Sequence, residues 1–113
     1  MPKYGIITSF LGQTKDRFHV YNQQVSLDEK FEMVTDIPGY SAVEIVYPYD
    51  VGNDPAVVSK LLTKHGLDVA ALNVNVKGEP EFVSGGLTSP KKEVREKAVD
   101  FIKRGKDFAE AIG

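Results

Sequence analysis

The sequence contains no cysteine. A disulfide framework, a thiolate metal site and a thiol nucleophile are therefore all excluded. No apolar run approaches the roughly 20 residues that a membrane-spanning helix needs. The opening Met1-Pro-Lys-Tyr-Gly5 has no long apolar stretch of the kind that marks a secretory signal. Low-complexity segments are absent as well. Strong charge of one sign is missing: 14 basic and 16 acidic side chains leave a formal net charge of −2. The balance is uneven along the chain. Residues 1–86 carry 7 basic and 11 acidic groups, and residues 87–113 carry 7 and 5. The basic end alternates in sign, as the solvated face of one helix does, and alternation suits phosphate tracking poorly. The expectation is a cytoplasmic chain that binds neither nucleic acid nor membrane.

What is present is a globular composition, 42% hydrophobic and 27% charged over 113 residues, enough for one domain. Short apolar runs alternate with helical patterns. Tyr4-Gly-Ile-Ile-Thr-Ser-Phe10 reads as a buried strand over 4–10, followed by a polar loop of about fifteen residues through Gln24. Ser26-Leu-Asp-Glu29 has capping-box spacing, and Leu27, Phe31, Val34 and Ile37 recur at helical intervals. A helix over 27–37 is predicted, ended by Pro38-Gly39. Ala42-Val-Glu-Ile-Val-Tyr47 is a second strand, stopped by Pro48. Asp54-Pro55 starts a helix over 55–65, carrying Val57, Val58, Leu61 and Leu62 and closed by Gly66. A third strand spans 67–74. After a glycine-rich loop, Ser89-Pro90 is predicted to open a helix over 90–112, with Gly105 inside its apolar pattern and Gly113 as its cap.

The order β-α-β-α-β-α argues for parallel strands joined by right-handed crossovers. A Rossmann-type sheet would carry a G-x-G-x-x-G turn after the first strand, and here Ser9-Phe-Leu-Gly12 stands instead. A (β/α)8 barrel fits the alternation, but a complete one needs about 250 residues. The expected fold is therefore α/β, the first three βα units of a TIM-type barrel, incomplete as a barrel by itself. The chain ends at a helix cap, Gly113, between whole units, and the third strand is expected to need the remainder of the barrel or another copy of the chain to pair with.

Three stretches resemble a known group. Pro38-Gly-Tyr-Ser-Ala-Val-Glu-Ile-Val46 has a glycine before a strand of Val-Glu-aliphatic type. His65-Gly-Leu-Asp-Val-Ala-Ala-Leu72 has a helix-ending glycine before a strand. Phe82-Val-Ser-Gly-Gly-Leu-Thr-Ser-Pro90, with Arg95, Ala98 and Ala109-Glu-Ala-Ile-Gly113, has the form of a loop and third helix. In this order they resemble the N-terminal part of the xylose-isomerase-like (β/α)8 superfamily, which includes sugar-phosphate isomerases and epimerases, inosose dehydratase-type enzymes and endonuclease IV-like enzymes. The resemblance implies a parent in carbohydrate metabolism that shifts a proton or hydride on a sugar substrate. It also implies a divalent metal in the full-length parent, held largely by side chains of later strands, with none expected for this chain alone.

Barrel chemistry sits at the C-terminal ends of the strands. That rule selects Thr8, Ser9 and Phe10; Glu44, Tyr47, Tyr49 and Asp50; and Asn73 and Asn75 with Gly85 and Gly86 beyond. Glu44 interrupts an apolar strand, so it is either a site residue or a structural hydrogen-bonded carboxylate. Alternation places Glu44 and Val46 on one face and Val43, Ile45 and Tyr47 on the other. Asn73 and Asn75 suit hydroxyl-rich ligands, since each amide donates and accepts, and they suit turn capping equally. Tyr47 and Tyr49 fit either sugar stacking or packing. His19 lies in the first loop; His65 fits a helix C-terminus on the opposite face. No carboxylate pair or histidine cluster has metal-ligand spacing. The substrate rim is assigned to Phe10, Glu44, Asn73 and Asn75. The alternative is a non-catalytic half-barrel that self-associates or completes itself with a companion chain.

Overall fold

The structure, a computed structural model, describes residues 2–15 and 18–113. Asp16 and Arg17, in the loop predicted after the first strand, lie outside the described residues, as does Met1. The elements are β1 (Tyr4–Ile7), β2 (Thr14–Lys15), β3 (Val20–Tyr21), α1 (Leu27–Thr35), β4 (Tyr40–Tyr47), α2 (Pro55–His65), β5 (Asp68–Val74) and α3 (Lys92–Ile112). Strands β1, β4 and β5 form a parallel sheet in the order β1-β4-β5. The chain is thus α/β, with three helices and a three-stranded parallel sheet among the described residues. Among the described residues no helix is long and apolar enough to cross a membrane.

Several boundaries differ from the sequence pattern, each for a local reason. The first strand stops at Ile7, because Thr8–Phe10 turns into a 3-10 helix, with the Leu11 N–H donating to the Thr8 carbonyl. The loop beyond holds a two-residue antiparallel hairpin, β2 with β3, too short to leave a periodic signal. Helix α1 ends at Thr35, two residues early. The Thr35 hydroxyl donates to the Glu32 carbonyl, and the Ile37 N–H reaches back to Val34. The last helix begins at Lys92 rather than at Pro90. Ser89 spends its side-chain oxygen on the Lys91 N–H, and no side chain caps the helix start at Lys91.

The remaining start and stop signals act as their chemistry dictates. Ser26 Oγ accepts from the Glu29 N–H at 3.2 Å. Asp54 Oδ1 accepts from the Ala56 N–H at 2.9 Å, with Pro55 opening the helix. Gly66 closes α2 in the left-handed region at φ 65°, a conformation in which a β-carbon is strained.

Packing is built on β4. Val43, Ile45 and Tyr47 are buried together with Phe31 and Val34 of α1, Val58 and Leu62 of α2, and Phe108 of α3. Withdrawing each such side chain from water contributes on the order of 1.5–3 kcal/mol. A smaller core joins Phe82, Val94 and Ala98 beside Phe101. Ile102 of α3 is exposed.

The other face of the sheet is lined by small residues and is strongly curled. Residues two strands apart in a flat sheet are separated by about 9.5 Å. A β-carbon built on Gly5 of β1 would nevertheless sit 3.4 Å from the Ala70 β-carbon of β5, with Ala42 of β4 between them. Ala70, Ala71 and Asn73 on β5 are exposed.

Gly105 explains how α3 seats on the sheet. A β-carbon there would lie 2.4 Å from Val74 Cγ2 and 3.4 Å from the Tyr47 ring. Valine is stiff at its first torsion and yields little. Gly105→Ala is therefore expected to lower stability by about 1–3 kcal/mol in urea unfolding through overpacking. Helix propensity alone would give a gain of about 1 kcal/mol. A rise in midpoint would place the close contact elsewhere.

The first turn of α1 meets the last turn of α2. Asp28 accepts from Lys64 Nζ at 2.9 Å, and His65 Nε2 lies 2.6 Å from its other oxygen. Acid at a helix start and base at a helix end each complement the helix dipole. His65 and then Lys64 hold the Asp28 carboxyl below its usual 3.8. A depressed folded-state value adds stability above the unfolded pKa, which is lost as pH falls through the folded one. The melting temperature should therefore drop on acidification between about pH 5 and pH 2, and Asp28→Asn should flatten that part of the profile. An unchanged slope in the variant would remove Asp28 as a contributor.

Candidate functional site

All three parallel strands run the same way, so their C-terminal ends share one edge. The loops that leave that edge carry most of the polar groups that could meet a ligand. At the end of β1, Thr8 is fully buried. Its Oγ1 lies 2.9 Å from Asp50 Oδ2 and 3.1 Å from the Glu44 carbonyl, so a single hydroxyl proton is shared between two acceptors. Asp50 belongs to the turn after β4, where its N–H donates to the Val46 carbonyl. Its second carboxylate oxygen accepts from Lys30 Nζ at 3.0 Å. The side chains of this ion pair are only 9% (Lys30) and 15% (Asp50) exposed.

Lys30 reaches that position because of helix geometry. It sits three residues after Leu27 and four before Val34, on the stripe that α1 turns inward. Its stem is buried beside Gly12 and its ammonium reaches Asp50. One cation from α1, one anion from the β4–α2 loop and one hydroxyl from the end of β1 are thereby tied into a single unit.

This unit borders a cavity of about 300 Å3, whose polar lining also includes Gln13, Gln24, Ser26 and Tyr49. Tyr49 is half-exposed and lies against Gly78, where a β-carbon would come within 2.8 Å of its ring. Loss of hydration, and then the Glu79 carboxylate beside it, push its phenol above the usual range. Beyond it, Glu81 pairs with Lys97 at 2.8 Å, and Lys97 lies over the Phe82 and Phe101 rings. Tyr49 thus joins the loop after β4 to the loop after β5.

The residues assigned to the substrate rim fall in different places. Glu44 and Asn73 share the curled face away from the helices: Glu44 is in register with Ala71 and Val46 with Asn73, and Ile7 lies beside Glu44. Glu44 is half-buried and Asn73 exposed. Asn75 continues the strand pairing, its N–H donating to the Tyr47 carbonyl. Its Oδ1 accepts from the Lys77 and Gly78 N–H groups at 2.9 Å each, which closes the turn. Phe10 ends the 3-10 turn and is 69% exposed. Tyr47 packs into the core against Phe108, with ring centroids 5.4 Å apart. His19 lies in the first loop near Tyr21, and His65 pairs with Asp28 in the last turn of α2.

Among the described residues no three His, Cys, Asp or Glu side chains converge to hold a metal ion. Lys30 went unrecognised in the sequence because a helical lysine ordinarily reads as surface. The available signal was its spacing: a charge placed among Leu27, Phe31 and Val34 on the buried stripe.

A nearly buried ion pair stabilises little as a whole but is costly to break from one side. Lys30→Met, which leaves the Asp50 charge without its cation, is expected to cost about 2–4 kcal/mol in urea unfolding. The double variant Lys30→Met/Asp50→Leu should cost clearly less than the sum of the two single changes. Additive losses would mean that the two charges do not act as a pair.

No family model matches this chain, and no curated protein matches it.

Proposed function

We propose that the chain supplies the first three strand–helix units of a TIM-type (β/α)8 barrel that isomerises or epimerises a sugar or sugar phosphate by a proton or hydride shift. Its share is part of the substrate rim. The observation that carries this reading is the common edge of the three parallel strands, where the polar cavity and the Thr8–Asp50–Lys30 unit lie. Ligands of parallel α/β folds bind at that edge. The curl that brings Gly5 toward Ala70 supports a barrel over an open sheet, since closure needs a concave inner face of small residues.

In this reading Glu44 and Asn73 face the barrel interior and orient substrate hydroxyls through hydrogen bonds. Phe10 offers an exposed ring to the apolar side of a sugar. Asn75 acts one step back, holding the loop that carries Gly78. The described residues do not assemble a metal site. The metal expected for such a barrel, and the base that moves the proton, would belong to further strands.

The exposure of Ala70, Ala71 and Asn73 on the edge strand β5 favours one second reading. There the half-barrel is non-catalytic and closes against another copy or a companion chain.

The full-length protein carrying this chain, supplied with Mg2+ or Mn2+, is expected to convert at least one ketose or ketose phosphate into its aldose or epimer, followed by proton NMR. No conversion across the panel with metal present would overturn the isomerase reading. Self-association in sedimentation velocity, found together with that inactivity, would leave the half-barrel reading standing.

A further inference from the structure

We infer that the Lys30–Asp50 pair is a diol subsite for an uncharged polyhydroxy ligand, one that takes a free sugar in preference to its phosphate. The sugar class rests on the function proposed above; the site and its preference rest on the pair itself.

The first support is the hydrogen-bond inventory. An ammonium has three N–H donors, and among the described residues Lys30 uses one, on Asp50. A carboxylate has about four acceptor positions, and among the described residues Asp50 uses two, for Lys30 and Thr8. Both side chains border the cavity, so donor and acceptor capacity remain side by side at its wall. Adjacent hydroxyls match that arrangement: one oxygen accepts from Lys30 while its neighbour donates to Asp50.

The second support is charge. The pair is neutral as a unit, and the other polar lining groups, Gln13, Gln24, Ser26 and Tyr49, are uncharged amides and hydroxyls. The first turn of α1 beside it bears Asp28 and Glu29. The nearby Lys64 cation is held by Asp28. A phosphate entering here would meet the Asp50 carboxylate with no unpaired cation among the described lining residues to offset it, a repulsion that low exposure strengthens. A neutral polyol carries no such penalty, and each glutamine can both donate to it and accept from it.

The third support is rigidity. Thr8, anchored between the Glu44 carbonyl and Asp50, holds the carboxylate at the end of β1, and α1 holds the ammonium. A preset pair binds without first ordering its own long side chains.

The test is a titration of the isotope-labelled chain, followed through its amide signals, with D-fructose, D-fructose 6-phosphate and inorganic phosphate as separate probes. Fructose should shift the amides of Thr8, Lys30 and Asp50 saturably. Inorganic phosphate should leave them in place, and fructose 6-phosphate should bind more weakly than fructose. Lys30→Met/Asp50→Leu, which removes both charges together and whose dispersed amide spectrum would report a retained fold, should weaken fructose binding at least about tenfold. Stronger shifts with either phosphate probe would overturn the preference. Unchanged fructose binding in the double variant would reduce the pair to a structural joint. The two readings also separate: ketose conversion without shifts at Lys30 and Asp50 sinks the subsite and leaves the isomerase. Saturable shifts at these residues without conversion do the reverse.

Discussion

Strand β4 has hydrogen-bonded neighbours on both sides, and its face of Val43, Ile45 and Tyr47 is closed off from water by all three helices. A buried backbone must find its hydrogen bonds within the protein, so β1 and β5 are held in register along it. Helices α1 and α2 are held because Phe31, Val34, Val58 and Leu62 have no other apolar surface to meet. Helix α3 is held by close approach, since Gly105 lets it settle onto Val74 and Tyr47.

The alternation of β4 also divides the molecule into two chemical environments. One face is aliphatic and aromatic and has its helices. The other carries Glu44 and Val46, continues through Ala71 and Asn73, and curls inward over Gly5, Ala42 and Ala70. A carboxylate and an amide on a concave face of small residues are poor material for a dry core and good material for polar contact with a ligand. The same strand therefore builds stability on one side and presents polar groups on the other.

The loops at the strand ends are fastened by polar bonds more than by apolar burial. Thr8, Lys30 and Asp50 come from three separate elements and satisfy one another at distances of 2.9 to 3.0 Å. Asn75 folds its own loop by accepting two backbone N–H groups, and Tyr49 rests on the glycine of that loop. Networks of this kind hold geometry well when every member has a partner. Among the described residues no buried side-chain polar atom lacks one.

The sequence by itself determined the order of the three parallel strands and three helices and several of their ends. Those depend on neighbours within a turn or two: the Ser26 and Asp54 caps, the proline at position 55, the left-handed glycine at 66, and the apolar periods of α1, α2 and β4. It also marked the face of Glu44, which follows from the strand period. It placed the start of the last helix at Pro90, whereas Ser89 caps the Lys91 N–H and the helix begins at Lys92. Only the tertiary structure decided the partnership of Lys30 with Asp50, twenty residues apart, and of Thr8 with Asp50, forty-two apart. Nothing local requires these contacts. They arise because the packing of α1 on β4 carries a long cationic side chain to the end of a strand, where an anion already waits beside a buried hydroxyl.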